Sequence, residues 1–254
     1  MDKLKSSIFI LLLFITEISA QNKCCDDKVC VDRWNFEFSA GAWNSAVQGD
    51  LSANKLPGYI NISLSDKLKD PDYSYFAEFE ARKNKIILIG QFTSINQTGN
   101  GDFHDTLYLN SRSTTRPLFI TAGLAFDFYS NPKFNVQLFG GARYNLIRND
   151  IETFFVSGGS QKENESKGFI DPLAGGRFEY TPFRKFFLKG YFDIGGFGMV
   201  SFLSFQSYLS AGYVLNDNFS LRFGYRYLDV HYTTDNYNFD TGIQGFEFAV
   251  STHF

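Results

Sequence analysis

From Trp34 to Phe254 the chain repeatedly alternates apolar and polar residues with a period of two, which sends successive side chains to opposite faces of a strand. In the run 134–146, Phe134, Val136, Leu138, Ala142, Tyr144 and Leu146 share one face, and Asn135, Gln137, Arg143 and Asn145 share the other. At a rise of about 3.3 Å per residue and a tilt near 45°, roughly 9–11 such residues cross a bilayer. The same reading places Leu118, Ile120, Ala122, Leu124, Phe126 and Phe128 together, then Leu221, Phe223, Tyr225 and Tyr227, then Phe246, Phe248, Val250 and Phe254.

Ten strands are expected, near 34–46, 73–82, 85–95, 105–128, 133–148, 168–181, 186–197, 203–215, 218–230 and 242–254. The fourth is long enough to break at Arg116-Pro117. Short turn-forming connections at 82–84, 130–133, 182–185 and 216–218 alternate with longer stretches around 47–72, 96–104, 149–167, 198–202 and 231–241, read as loops. This is the pattern of an all-β, closed, antiparallel up-and-down transmembrane β-barrel of ten strands, with eight as the alternative. Bacterial barrels put short turns in the periplasm, so both mature termini are expected there, with the barrel in the bacterial outer membrane.

A soluble sandwich or barrel would also alternate, so the direction of the faces matters. Aromatic residues sit near strand ends, as in Phe36 with Phe38, Tyr73 with Tyr75 and Tyr225 with Tyr227, in the manner of interfacial girdles. The polar faces hold Glu37, Glu78, Glu80, Asp127, Glu179, Asp193 and Glu247 against Arg82, Arg143, Arg177, Lys189, Arg222 and Arg226. Nearly equal numbers of both signs suit a narrow lumen in which each ion offsets another's desolvation. A charge-paired, largely plugged lumen is therefore expected.

The chain of 254 residues carries 24 Lys+Arg and 27 Asp+Glu, a formal net charge of −3, and offers no basic field for nucleic acid. Its longest apolar run, Ile8 to Ile15, is too short for a membrane helix, which needs about 20 residues. With Lys3 and Lys5 before it and Ile18-Ser19-Ala20 after, the run reads as a secretory signal peptide over residues 1–20. Residues 21–33 form a periplasmic leader holding Cys24, Cys25 and Cys30. Cys30 is expected to bond either neighbour, leaving an odd thiol. The barrel domain spans 34–254.

Glycine-rich runs recur: Phe139-Gly140-Gly141-Ala142-Arg143-Tyr144, Leu173-Ala174-Gly175-Gly176-Arg177-Phe178 and Phe223-Gly224-Tyr225-Arg226-Tyr227. Together with Asp171-Pro172, Phe192-Asp193-Ile194-Gly195-Gly196-Phe197-Gly198, Ala211-Gly212-Tyr213, Leu228-Asp229-Val230 and Phe79-Glu80-Ala81-Arg82, the sequence resembles the small outer-membrane β-barrel family, the OmpA-like, OmpW-like and opacity-protein-like porin-family sequences. The resemblance covers most of 34–254. It implies fold and location, and implies that the terminal Phe254 is an assembly signal read by the barrel assembly machinery.

No catalytic, cofactor or metal site is expected. Ser251, His253 and Glu247 share a strand face, but at the end opposite to where a lipid A-modifying enzyme would work. Asp102, His104 and Asp105, and Asp229, His231, Asp235 and Asp240, lack a recognised metal-loop spacing and read as solvated polar loops. The expected role is a structural or surface-interaction protein embedded in outer-membrane lipid and contacting an extracellular ligand through its loops. A narrow porin-like channel for small solutes is the alternative, and a lipid A-modifying enzyme a distant one.

Overall fold

A computed structural model describes residues 33–65, 74–103 and 106–254. The expected signal peptide, the leader up to residue 32 with its three cysteines, and Tyr73, His104 and Asp105 lie outside the described residues. Thirteen strands form one antiparallel sheet: β1 (Asn35–Ala53), β2 (Leu56–Ile62), β3 (Ser74–Lys83), β4 (Ile86–Ser94), β5 (Gln97–Asp102), β6 (Tyr108–Thr115), β7 (Leu118–Ser130), β8 (Phe134–Phe155), β9 (Ser160–Phe183), β10 (Phe186–Gly195), β11 (Leu203–Val214), β12 (Phe219–Thr234) and β13 (Tyr237–His253). Ten of them close a ring in the order β1, β3, β4, β7, β8, β9, β10, β11, β12, β13. The other three prolong it. β2 pairs β1 above β3, and β5 pairs β6, which pairs β8 above β7. The expected break at Arg116-Pro117 separates β6 from β7.

Closure matters because every backbone donor and acceptor in hydrocarbon needs a partner within the protein. The seam is sealed at the last residue: Phe36 N donates to Phe254 O at 2.8 Å, Phe254 N donates to Phe36 O at 3.0 Å, and the two rings stack at 5.7 Å. The turns at this end are tight and built from local chemistry. Asn131 Oδ1 accepts from the amides of Lys133 and Phe134, and Asn216 Oδ1 accepts from those of Asn218 and Phe219.

The other end departs from the expected loops. Residues 147–155 and 160–167 continue β8 and β9, residues 47–53 continue β1 into a hairpin with β2, 97–102 form β5, and 231–241 is strand except for one turn. At 22 and 24 residues, β8 and β9 are at least twice as long as a bilayer crossing requires. The physical reason is that alternation persists while its polarity inverts. Within the belt, β8 turns Leu138 and Tyr144 outward and Gln137 and Arg143 inward; beyond Leu146 it turns Arg148 and Asp150 outward and Ile147 and Ile151 inward. β13 changes between Phe246 and Gln244, and β12 between Tyr227 and Asp229. Tyr227 lies opposite Gln244 and Leu146 opposite Gly168, so paired strands invert together.

Above that level the interior is an apolar core. Val47, Leu51, Ile60, Ile147, Ile151, Leu228, Phe239 and Ile243 pack together, and the rings of Phe169 and Tyr232 stack at 4.0 Å. Burial pushes the Tyr237 phenol pKa up, and Asn149 Nδ2 donates to its oxygen at 3.0 Å. The expected polar plug is therefore polar only in its lower part.

The inversion sets opposite tolerances on the outer face of adjacent strands. Leu138→Arg, in the apolar belt, is expected to cost about 2–4 kcal/mol. Ser166→Arg, beyond it on β9, is expected to cost less than about 0.5 kcal/mol. Urea unfolding in lipid vesicles measures both.

Candidate functional site

The site is the lumen, and its residues reach it by strand register. Arg222 and Arg226 face inward on β12 and flank Glu247 of β13, which lies opposite Gly224. Glu78 comes from β3, across β1, where the small Ser39 and the side-chain-free Gly41 face inward. Arg222 Nη2 and Arg226 Nη2 bind the two Glu78 oxygens at 2.7 and 2.8 Å, while Arg226 Nε binds Glu247 at 2.7 Å and Arg222 Nε lies 3.7 Å from its other oxygen. Two acids and two bases cancel locally. The Arg226 guanidinium also sits between the rings of Phe76 and Tyr208, 4.6 and 4.7 Å from their centroids, which adds cation–π attraction.

A second centre surrounds Arg143, which pairs with Asp193 with both side chains fully buried. Arg143 donates to Thr121 and Gln206, each at 3.2 Å, and the Tyr191 hydroxyl donates to Asp193 at 2.7 Å. Gln206 donates in turn to Gln91 at 3.3 Å. One guanidinium thus links β7, β8, β10 and β11, with β4 reached through Gln206. Nearer the termini, Arg177 pairs with Glu80, Arg82 contacts Asp127 at 2.8 Å, and Lys189 donates to Glu37 at 2.6 Å with Glu179 at 3.8 Å. All thirteen acidic and basic residues singled out in the sequence are in ion pairs.

One buried acid was missed. Asp171 on β9 lies opposite Arg143 in register, accepts from Asn145 Nδ2 at 3.0 Å and from the Ser201 amide at 3.1 Å, and forms no ion pair among the described residues. Proline beside it obscured the alternation that would have placed it inward.

Below the ion pairs a vestibule of about 870 Å³ opens at the end that holds Trp34 and Phe254, lined by Glu37, Arg82, Gln137, Lys189 and His253 among others. Above them, Trp43, Phe76, Phe119 and Phe169 begin the apolar core. Charge-paired side chains and then the apolar core stand over the vestibule.

The Ser251, His253 and Glu247 trio is not assembled. Ser251 Oγ bonds Ser39 Oγ at 2.7 Å, His253 Nε2 lies 3.3 Å from Ser220 Oγ and its Nδ1 3.6 Å from Glu37, while Glu247 is held by the arginines. Asp229 accepts from the Tyr227 hydroxyl at 2.8 Å and His231 lies 3.9 Å from Asp240. Among the described residues no group of three or more metal-ligating side chains converges.

The chain is similar in structure to the outer membrane protease OmpT of Escherichia coli, with 12% identity over 90% of this chain and 97% of that one and a TM-score of 0.51. It also aligns with the attachment invasion locus protein Ail of Yersinia pestis (12% identity, 87% and 98% covered, TM-score 0.39) and with Neisserial surface protein A (13%, 85% and 96%, TM-score 0.37). No protein-family model and no curated protein matches the sequence. At such identity the likeness is one of fold, and the fold is that of an outer-membrane β-barrel.

Because Arg143 and Asp193 are both inaccessible, removing one strands the other. Arg143→Met is expected to destabilise the barrel by about 3–5 kcal/mol, and the double replacement Arg143→Met with Asp193→Leu to recover most of that loss. Urea unfolding of both variants in vesicles reads the difference.

Proposed function

We propose that this protein is a sealed barrel of the bacterial outer membrane that acts as a structural or surface-interaction protein, presenting its far lobe outside the cell. The observation that carries the reading is the double closure of the lumen: an ion-paired layer spanning the ring, then an apolar core directly above it. A conducting pore needs a continuous polar path, and this stack interrupts one. The narrow-channel alternative is left with a blind vestibule open at one end only.

In this reading both mature termini face the periplasm. The tight turns at their end support it, since bacterial barrels place short turns there. Phe254, bonded into the seam against Phe36, serves as the assembly signal for the barrel assembly machinery. The lobe formed by β2, β5, β6 and the long ends of β1, β8, β9, β12 and β13 is then the extracellular part. It is built of paired strands where long loops were expected. Its outer face carries charge, as where Arg116 pairs with Asp150, and its inner face carries Lys167 Nζ 2.6 Å from Glu165 on β9. The hydrogen bond from Lys167 holds the Glu165 carboxyl below its ordinary pKa. A non-enzymatic role fits the separate engagement of Ser251, His253 and Glu247.

Planar-bilayer recording of the purified protein tests the sealed lumen. The expected result is no sustained conductance above the bare membrane. Stable open channels that persist after purification would replace the interaction reading with the channel one.

A further inference from the structure

The connection between β10 and β11 is unlike the rest of the far end. β10 stops at Gly195, opposite Leu173, and β11 starts at Leu203, opposite His231, while β9 and β12 on either side run on. The loop between them reads Gly196-Phe197-Gly198-Met199-Val200-Ser201-Phe202, and no charged residue occurs between Asp193 and Asp217. Its apolar side chains are not folded inward. Met199 and Phe202 are 75% and 70% exposed, and Phe197 and Val200 are exposed as well.

The amides of Gly196, Gly198, Met199, Ser201 and Phe202, by contrast, are bonded within the protein. Gly196 N donates to Pro172 O at 3.1 Å, Gly198 N to Phe202 O at 3.0 Å, Met199 N to Gly196 O at 2.9 Å and Phe202 N to His231 O at 3.0 Å. Ser201, fully buried, turns its amide to the Asp171 carboxylate. Left-handed backbone at Gly196, Phe197 and Gly198, with φ of 84°, 49° and 70°, allows the tight reversal. The one residue drawn inward is polar and those pushed outward are apolar. A loop built for water shows the opposite arrangement.

We propose that this loop is a lipid-inserted anchor whose side chains enter the acyl chains of the leaflet at the far end. The occupant follows from continuity: Phe192 and Ile194 on β10, Leu209 on β11 and Ile170 on β9 are exposed members of the apolar belt directly below the loop. An exposed apolar cluster is anomalous in water and costs nothing in hydrocarbon, where neutral side chains and bonded amides are both required. Asp171 is the positioning residue, because its bond to the Ser201 amide fixes which side of the loop faces the lumen. The apolar height is then greater at β10–β11 than around the rest of the ring, which biases barrel depth and tilt. The inference does not depend on which side of the membrane the far end faces.

Full-length protein carrying Met199→Trp, reconstituted in vesicles with brominated acyl chains, tests the proposal against the Trp34 and Trp43 background of the parent. The added emission is expected to be blue-shifted, strongly quenched by the brominated lipid and insensitive to aqueous iodide. Asp171→Ala in the same background is expected to lessen the lipid quenching and admit iodide. Quenching by iodide without quenching by lipid would overturn the anchor. So would protection from both quenchers together with cross-linking between Met199→Cys copies, which would make the occupant a second copy of the chain. Unchanged quenching in Asp171→Ala would remove Asp171 from its positioning role.

Discussion

Every long strand of this barrel has two faces, and the media those faces meet change places partway along it. Near the termini the outer face touches hydrocarbon and the inner face an enclosed polar space; farther on, the outer face meets water and the inner face a dry core. Because a strand cannot rotate about its own axis within a sheet without breaking its ladder, the exchange must be written into the residues of each stave that runs past the belt. The register places it so: Phe246 gives way to Gln244 beside Tyr227 giving way to Asp229. The height of the membrane belt, the length of the strands beyond it and the position of the apolar cap all follow from that exchange.

Filling a narrow ring with charge is expensive unless each ion has a partner, and here the register supplies one. Arg222 and Arg226, four residues apart on one face, straddle Glu247, and Glu78 completes the set from across β1. Such pairs are weak sources of stability compared with well-packed apolar residues. Their contribution is to tie strands distant in sequence to one arrangement, as Arg143 does for β7, β8, β10 and β11. The apolar core above does the opposite work, supplying burial without direction. The proposed seal rests on the two layers together.

The ring of ten was legible because alternation and turn chemistry are local signals, and the thirteen ionic residues were legible because each sits on the face opposite a run of aromatics. The far lobe was not, although its signal is present. In Ile147-Arg148-Asn149-Asp150-Ile151-Glu152 the period of two continues, but charges on the outer face resemble a loop to any reading that equates strand with an apolar exterior. The breaks in three staves, between β2 and β3, β4 and β5, and β6 and β7, hid the remaining strands. Asp171 escaped for a related reason: its lack of an ionic partner among the described residues and its bond to a loop amide are tertiary facts.

The exchange of media is tested most directly by walking a nitroxide label along the outer face of β13, one even-numbered position at a time from Asn238 to Val250, and recording collisions with oxygen and with a water-soluble nickel complex. Oxygen should dominate at positions 246, 248 and 250 and nickel at 238, 240, 242 and 244, with a single step between. Oxygen dominance along the whole strand, or no step at all, would contradict the account.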